Sequence, residues 1–279
     1  MNKNVAVITG ATSGIGLETA RALAHEGFKV VMACRDIEKA SSLAKEISKQ
    51  SGNEGVNVIP VNMASMHSIR EFASLFAARY NKLHVLINNA GVFCDRQQKT
   101  EDGFELTMGV NYLGPFLLTR LLLPIIKDTP LARIINVISK AAFYAKLKLD
   151  ENTFTGNTHG FKAYSASKLA QILFTIDLAE ELKGHGVTVN AAYPGRVATN
   201  IWRGDSLMMR IAAPLMMRRS VSAEEGAKTV IYLAVSPAVE GITGKMYYEE
   251  DVLEYKENCL DARLREKLME LSFKAIRDT

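Results

Sequence analysis

The sequence predicts an α/β fold in which one doubly wound parallel sheet carries helices on both of its faces. Three observations lead to this class. Short apolar segments alternate with amphipathic ones along most of the 279 residues, and this alternation is typical of β-α-β units. The strand-like segments are apolar throughout, as expected of strands buried on both sides. A glycine-rich stretch joins the first strand to the first helix, which is where such folds turn most tightly.

The elements follow one another in a regular order. Apolar runs predict seven strands, at residues 5–9, 29–34, 56–61, 83–88, 133–139, 187–192 and 245–248. Amphipathic or apolar stretches of helical length predict seven helices, at residues 15–26, 36–49, 66–80, 112–127, 163–183, 223–236 and 260–275. The helix at 163–183 has the clearest helical period, whereas the helix at 112–127 is apolar nearly all round.

Residues 199–221 interrupt this rhythm, and we therefore predict one domain over 1–279 with a lid inserted at about 199–221. The segment is rich in Met and Arg, and its apolar members are Trp202, Leu207, Met208, Met209, Ile211, Leu215, Met216 and Met217. Methionine-rich surface adapts to irregular hydrophobic ligands. Core packing or a subunit contact explains the same composition, and the arginines leave a shallow membrane contact open.

The composition narrows the class of partner. The formal net charge of +4 comes from scattered basic residues, with no basic stripe of the kind that binds nucleic acid. Three widely spaced cysteines, Cys34, Cys94 and Cys259, predict neither a disulfide framework nor a zinc site. We find no signal peptide and no apolar run of about 18 residues, so we expect a cytoplasmic protein.

The glycine-rich stretch predicts a phosphate-binding loop of the Rossmann type. It reads Thr-Gly-Ala-Thr-Ser-Gly-Ile-Gly over positions 9–16. Glycine lets the backbone approach a pyrophosphate, and the first N–H groups of a helix attract the anion. A tight turn without a ligand is the alternative, but the position between strand and helix favours a dinucleotide site. The candidate contacts are Gly10, Thr12, Ser13, Gly14, Ile15 and Gly16.

Four further sequence features carry a family resemblance. They are Asn88-Asn89-Ala90-Gly91, Tyr164-Ser165-Ala166-Ser167-Lys168, Pro194-Gly195 with Thr199, and the separate residues Asn111 and Ser139. In this order, and with the spacing of the glycines, the chain resembles the short-chain dehydrogenase/reductase family over essentially its whole length. Within that family it is similar to the retinol dehydrogenase-like group, through the segments 33–36, 109–119 and 167–175.

Tyr164 and Lys168 suit proton transfer to and from an oxygen atom. Carbonyl reduction needs a proton donor at the nascent alkoxide, and alcohol oxidation needs a base. A tyrosine acts as a base at neutral pH only if its pKa falls by about three units, which requires roughly 4 kcal/mol of phenolate stabilisation. Lys168 lies four residues further on, so on a helix its ammonium shares a face with the phenol. A surface helix pair is the alternative.

The resemblance implies roles for the remaining motif residues. Lys168 also binds the nicotinamide ribose, Ser139 hydrogen-bonds the substrate oxygen, and Asn111 holds a water in a proton relay. For Ser139 a strand-end role, and for Asn111 a helix cap, are the alternatives. Asn89, Ala90 and Gly91 pass under the adenosine half of the cofactor, and Pro194, Gly195, Val197 and Thr199 hold its nicotinamide end.

Two positions depart from the family pattern. Asn62, followed by Met63, stands where the family usually has an aspartate that contacts adenine. An amide oxygen still accepts the adenine amino hydrogen, so we expect modest weakening of this contact. Ile138 replaces the first of two serines, whereas Ser139 matches the catalytic one.

The tip of the second strand predicts the choice of cofactor. NAD-dependent relatives have an acidic residue there that takes two ribose hydroxyls. Aligning Cys34 with that residue places Arg35 beside the 2′-phosphate of NADP(H), which a guanidinium binds well. Asp36 as a ribose ligand of NAD(H) is the competing interpretation, and an N-cap of the following helix is its structural alternative.

Together these features predict an NADP(H)-dependent oxidoreductase that interconverts an alcohol and an aldehyde or ketone, with NAD(H) as the second choice of cofactor. The resemblance suggests a small lipophilic substrate. A non-catalytic NADP(H) sensor or scaffold protein on the same fold is the alternative function. The resemblance also suggests a homodimer or homotetramer built on the helices 112–127 and 163–183, of which the first is more apolar than one buried face needs. We expect neither a metal ion nor nucleic acid as a partner.

Overall fold

A sheet of eight strands forms the centre of the part of the chain that the structure describes. The structure is a computed structural model and describes residues 4–195, 197, 221–277 and 279. The strands are β1 (Val5–Thr9), β2 (Lys29–Cys34), β3 (Val56–Pro60), β4 (Val85–Asn88), β5 (Arg133–Val137), β6 (Thr188–Ala192), β7 (Met246–Tyr248) and β8 (Asp251–Leu253). Their order is β3-β2-β1-β4-β5-β6-β7-β8. All neighbours pair in parallel except β7 and β8, which are antiparallel.

Helices cover both faces of this sheet, as predicted. They are α1 (Gly14–His25), α2 (Ile37–Ser51), α3 (Met66–Arg79), α4 (Gly114–Lys127), α5 (Gly160–Glu181), α6 (Ala223–Val235) and α7 (Ala262–Arg277). Leu23 of α1 and Leu233 of α6 belong to the apolar core on one face. Phe72 of α3, Leu118 of α4 and Leu173 of α5 belong to the core on the other. The doubly wound α/β class is therefore confirmed.

Side-chain caps define where several helices begin. Asp36 Oδ1 accepts a hydrogen bond from the Lys39 backbone N–H at the start of α2, and serines cap α3 and α6 in the same way. These caps occupy N–H groups that have no partner within the helix. At the start of α1, Ser13 makes no such side-chain hydrogen bond. The first turn of α1 is therefore left open to an external anion.

The structure differs most clearly from the predicted elements at two places, besides small shifts in element bounds. Strand β8 was not predicted, since its three residues are defined by pairing with β7. The predicted helix at 112–127 is preceded by a short turn at Leu106–Met108, and a π-helical turn over Gly109–Leu113 leads into α4. The predicted lid lies outside the described residues except at Val221, which pairs with Val197 in an isolated bridge.

Among the described residues, one segment, Leu106–Lys127, is long and apolar enough to span a membrane by length and composition. The expectation that the chain has no such run is therefore wrong. Of its most apolar window, 78% is buried inside the protein, so these apolar side chains are covered by the chain itself. A core helix between a sheet and other helices has this composition.

The C-terminal helix α7 supplies part of that cover. The Phe273 ring lies 5.2 Å from the Phe116 ring, edge to face, and the Arg120 guanidinium lies 4.7 Å from the centre of the Phe273 ring. The hydroxyls of Tyr112 and Ser272 are 2.8 Å apart and form a buried hydrogen bond. The face of α4 that we expected to form a subunit contact thus packs against α7.

Candidate active site

A cavity of about 1130 Å³ opens at the carboxyl ends of the parallel strands. It lies where the strand order reverses between β1 and β4, the position at which open α/β sheets bind ligands. Most of the predicted site residues line it, namely Gly10, Thr12, Ser13, Gly14, Ile15, Arg35, Asn62, Met63, Asn89, Ala90, Gly91, Ser139, Tyr164, Lys168, Pro194, Gly195 and Val197. Gly16 and Asn111 support the cavity from behind, and Thr199 lies outside the described residues.

The glycine loop is held tightly against the end of β4. Asn89 Nδ2 donates to the Thr9 carbonyl oxygen at 2.8 Å, and the Asn89 and Ala90 backbone N–H groups both donate to Thr9 Oγ1 at 3.0 Å. A Cβ atom on Gly16 would lie 2.4 Å from Asn89 Nδ2 and 2.5 Å from the Gly10 oxygen. Gly10 has a φ of 68°, which favours glycine. Glycine is therefore required here by packing as well as by backbone conformation.

Both residues at the tip of β2 that the two cofactor interpretations use, Arg35 and Asp36, line the cavity. Asp36 caps α2 through a 3.0 Å hydrogen bond from the Lys39 N–H, which is the structural alternative that the sequence left open. Arg35 is exposed and lines the cavity, and it forms no ion pair among the described residues. Burial raises the pKa of the Cys34 thiol to about 11, so the residue in the place of the acid is neutral.

Asn62 already makes two hydrogen bonds to residues near it in the sequence. Its Oδ1 accepts a hydrogen bond from the Ala64 N–H at 3.1 Å, and its backbone N–H donates to Ser68 Oγ at 3.0 Å. An amide oxygen has a second lone pair, so the expected contact with adenine still has an acceptor. Met63 is buried beside it.

Tyr164 lies in the first turns of α5, buried against the mouth of the cavity. Its pKa is raised to about 12 by burial, while a side-chain hydrogen bond with Ser139 acts in the opposite direction. From the sequence we expected the Lys168 ammonium to lower the pKa of Tyr164. In the chain alone burial prevails, because the phenolate would lose its hydration.

Ser139 joins β5 to the short helical turn Lys140–Tyr144. Besides its bond with Tyr164, its Oγ accepts from the Ala141 N–H at 3.2 Å. The strand-end role that the sequence left as an alternative is therefore present together with the contact to Tyr164.

Lys168 is 3% exposed, and its ammonium points back towards the sheet. Nζ donates to the Val137 carbonyl oxygen and to Gln171 Oε1, at 2.8 Å in each case. Nζ also lies 5.8 Å from the centre of the Tyr164 ring. Burial lowers the pKa of Lys168 to about 7. The sequence placed Lys168 correctly beside Tyr164 but did not indicate Gln171.

Asn111 lies in the π-helical turn and is fully buried. Its side chain brackets the backbone of Val92, with Oδ1 accepting from the Val92 N–H at 2.7 Å and Nδ2 donating to the Val92 oxygen at 3.0 Å. Nδ2 also donates to Ser167 Oγ at 3.0 Å. It is therefore not a helix cap, and the water relay stays a prediction. Turns of this type occur frequently at functional sites.

The nicotinamide end of the predicted site lies after β6. Gly195 has a φ of 78°, which directs the backbone past Tyr193 and Tyr248, whose rings are 5.4 Å apart. The Lys140 ammonium lies 4.8 Å from the centre of the Tyr193 ring, within the range of a cation–π contact.

Aromatic side chains that the sequence analysis did not single out form the outer part of the cavity. The Phe93 ring meets the Tyr164 ring edge to face at 5.8 Å. Tyr144 and Phe161 also line the cavity and are 71% and 53% exposed. Their signal was available, since Phe93 directly follows Asn-Ala-Gly-Val and Phe161 precedes Tyr164 by three residues. The resulting cavity combines a hydroxyl pair, a buried lysine and an apolar mouth.

Comparisons with known proteins agree with this geometry. The sequence model of the short chain dehydrogenase family matches residues 4–210. Human retinol dehydrogenase 12 is 44% identical over 247 residues, which cover 87% of this chain and 77% of that protein. Mouse retinol dehydrogenase 14 is 38% identical, covering 98% of this chain and 85% of its own. The crystal structure of an uncharacterised protein from Mycobacterium paratuberculosis superposes with a TM-score of 0.79 at 30% identity, covering 98% and 93% of the two chains.

Proposed function

This chain belongs to the short-chain dehydrogenase family and is an NAD(P)-dependent oxidoreductase, and on that premise we propose that it uses NADP(H) to interconvert a lipophilic alcohol with its aldehyde or ketone. The observation that carries the proposal is the hydrogen-bonded pair Ser139 and Tyr164 beside the Lys168 ammonium, at the apolar end of the cavity. A carbonyl oxygen placed at that pair meets a proton donor and a second hydroxyl, which is what its reduction needs.

The residues at the other end of the cavity fit a dinucleotide with a 2′-phosphate. The first turn of α1 begins at Ser13 without a side-chain cap, so its N–H groups are open to a pyrophosphate. Arg35 offers a guanidinium with no ion-pair partner among the described residues, whereas Asp36 uses one carboxylate oxygen, Oδ1, as the cap of α2. A 2′-phosphate matches the guanidinium of Arg35, whereas a ribose diol would need the carboxylate of Asp36.

The chain's own residues handle the proton and the substrate oxygen. In the direction of reduction, Tyr164 donates its phenolic proton to the oxygen of the carbonyl, and in oxidation it takes that proton back. Ser139 donates a hydrogen bond to the same oxygen and holds it in place. Lys168 binds the ribose next to the nicotinamide and provides positive charge on the side of the phenol. Bound NADP(H) supplies or accepts the hydride.

The raised pKa of Tyr164 favours the proton-donating form. With a pKa of about 12, the phenol is protonated at neutral pH, which is the form that carbonyl reduction requires. Work of Tyr164 as a base in oxidation therefore depends on added positive charge near the phenolate.

The mouth of the cavity supports a lipophilic substrate. Phe93, Tyr144 and Phe161 present rings there, and pockets with such linings hold apolar ligands through burial of their surface. The retinol dehydrogenases to which the chain is similar are named for a long polyene alcohol, which is a substrate of this chemical class.

Turnover measurements test this function directly. The purified chain is mixed with NADPH or NADH and a panel that includes retinaldehyde, medium-chain aldehydes and ketones, and cofactor consumption is followed. We expect consumption of NADPH with an apolar aldehyde or ketone. Tyr164→Phe keeps the ring but lacks the proton, and should lower turnover at least about a hundredfold while NADPH still binds. A wild-type protein that binds NADPH but consumes none across the panel would favour the sensor function instead.

A further inference from the structure

We propose that Gln171 is a positioning residue for the proton-transfer site, whose side-chain oxygen holds the Lys168 ammonium against the end of β5 and favours its charged form. The inference rests on the proposed function, in which Lys168 acts as a cation beside Tyr164. It assigns Gln171 a role that neither the motifs nor the family resemblance contains.

The contact is short and fully enclosed. Gln171 is 1% exposed, and its Oε1 accepts from Lys168 Nζ at 2.8 Å. The second acceptor, the Val137 carbonyl oxygen, belongs to β5. Residues three apart on a helix share a face, so Gln171 follows Lys168 into the interior of the protein.

The charge of Lys168 fixes which way the amide of Gln171 faces. Turning the amide over would place its NH₂ group against an ammonium, and two donors repel each other. In the observed orientation the Nε2 group is buried without a hydrogen-bond partner among the described residues. A buried unpaired donor is unfavourable. The amide of Gln171 thus leaves one buried donor unpaired while its oxygen accepts from Lys168, which points to the oxygen as the useful group.

A chain of buried polar groups locks the two acceptors together. The backbone oxygen of Gln171 accepts from Thr175 Oγ1 at 2.8 Å, and Thr175 Oγ1 accepts from Asn136 Nδ2 at 2.9 Å. Asn136 lies in β5 next to Val137. The turn of α5 that carries Gln171 is therefore fixed to the strand that carries the other acceptor, and the Lys168 ammonium lies between them.

Because of the groups that surround Lys168, its protonation depends on the side chain at position 171. On its own helix it faces the ring of Tyr164 at 5.8 Å, and Tyr193, after β6, acts electrostatically on Tyr164. Burial is the cause that lowers the pKa of Lys168 to about 7. The neutral oxygens of Val137 and Gln171 are then the contacts that favour the ammonium. Removing one of these acceptors must therefore change the pKa of Lys168.

Two substitutions with opposite effects test the inference. Gln171→Met keeps the length of the side chain but removes the acceptor, and should lower the Lys168 titration midpoint by about one unit, a tenfold change in its ionisation constant. Gln171→Glu places a carboxylate against the ammonium and should raise the midpoint by at least about one unit. Loss of folding or looser packing would not move the midpoint in opposite directions.

The midpoint is read from NMR titration of protein labelled with ¹³C at the lysine Cε atoms, without cofactor. The Lys168 signal is identified by its absence from Lys168→Met. Thr175→Val is the matched control, since it weakens the tie between α5 and β5 but keeps both acceptors, and should lower thermal stability with the midpoint in place. Unmoved midpoints in both Gln171 variants, or shifts in one direction, overturn the inference. Because this readout needs no turnover, an inactive wild-type protein would contradict the proposed function and leave this test intact.

Discussion

Burial acts on the two titratable residues at the centre of the site in opposite senses. It favours the neutral phenol of Tyr164 and the neutral amine of Lys168, because each charged form loses its hydration in the interior. The neutral phenol suits proton donation, whereas the proposed role of Lys168 needs the ammonium. Lys168 is therefore a residue whose function conflicts with the stability of the fold, as is common at active sites.

This conflict predicts that removing Lys168 stabilises the protein in a pH-dependent way. A lysine whose pKa falls from 10.5 to about 7 on folding binds fewer protons in the folded state, so its penalty is largest below pH 7 and fades as pH rises towards 10.5. Lys168→Met should raise the free energy of unfolding by about 2–4 kcal/mol at pH 7 and by less than about 1 kcal/mol at pH 10. Urea unfolding at both pH values measures this.

The exposed Lys146 provides the control, because Lys146→Met removes the same charge from the surface and should change stability by less than about 0.5 kcal/mol. Equal effects of Lys168→Met at pH 7 and pH 10 would contradict the assignment of burial as the cause.

Arg35 carries the prediction on cofactor choice. Only NADPH has the 2′-phosphate, so Arg35→Ala should weaken NADPH binding roughly ten- to a hundredfold, as expected for the loss of a charge-assisted hydrogen bond, and leave NADH binding nearly unchanged. Fluorescence titration of both cofactors measures the two affinities. Asp36→Ala is the control, and as the cap of α2 it should cost about 1 kcal/mol of stability without selective loss of NADH. Selective weakening of NADH by Asp36→Ala would move the assignment to NAD(H).

At the level of elements, the sequence predicted the units that are formed by local pattern. Strands β1 and β2 were predicted with their observed bounds, because each is a short apolar run between polar turns. The π-helical turn was not predicted, since a helical period does not reveal that Asn111 binds the backbone of Val92. Strand β8 depends on pairing with β7, and three residues carry too little pattern to show it.

The residues of the candidate site also divide into those that a sequence pattern reveals and those that only the packing of the chain reveals. Tyr164 and Lys168 were singled out because their spacing on one helix occurs together with the glycine loop and the other motifs of a known family. The role of Gln171 depends on a side-chain rotamer and on two buried acceptors, which no spacing in the sequence shows. The predicted lowering of the Tyr164 pKa took account of the neighbouring charge but not of the burial that outweighs it.

A substitution in the glycine loop tests the packing of three elements, because the loop connects β1 to α1 and lies against the end of β4. Gly16→Ala would place a methyl group 2.4 Å from Asn89 Nδ2, so the loop must move. We expect a loss of about 2 kcal/mol of stability and at least about tenfold weaker NADPH binding, measured by urea unfolding and by titration.

Gly27→Ala is the matched control for this prediction. Gly27 has a φ of 80° and nothing within 4 Å of a Cβ atom, so an alanine there should cost about 1–2 kcal/mol through backbone strain and leave NADPH binding unchanged. Binding of NADPH by Gly16→Ala with wild-type affinity would show that the packing of this glycine does not shape the cofactor loop.

For the whole molecule, the position of α7 explains why α4 is apolar nearly all round. The sequence shows α4 to be apolar nearly all round, and a second apolar face suggests a partner. In the structure that face meets Phe273 and Ser272 of the chain's own C-terminal helix. Arg265 of α7 also pairs with Glu180 of α5 at 3.0 Å. The chain thereby covers intramolecularly the surface that a second subunit was expected to cover.

This intramolecular cover bears on how the protein assembles. Because α7 occupies the face of α4 and α5, we expect wild-type protein to scatter light as a monomer of 30.7 kDa, and not as the dimer or tetramer expected from the sequence. Arg265→Glu combined with Phe273→Asp sets a negative charge against Glu180 and another against the Phe116 ring, which should detach α7. The uncovered apolar face should then make the variant self-associate, whereas Lys267→Glu, on the exposed side of α7, should stay monomeric. A stable wild-type dimer or tetramer whose α4 and α5 amides are protected from hydrogen exchange relative to the monomer would restore the interface predicted from the sequence.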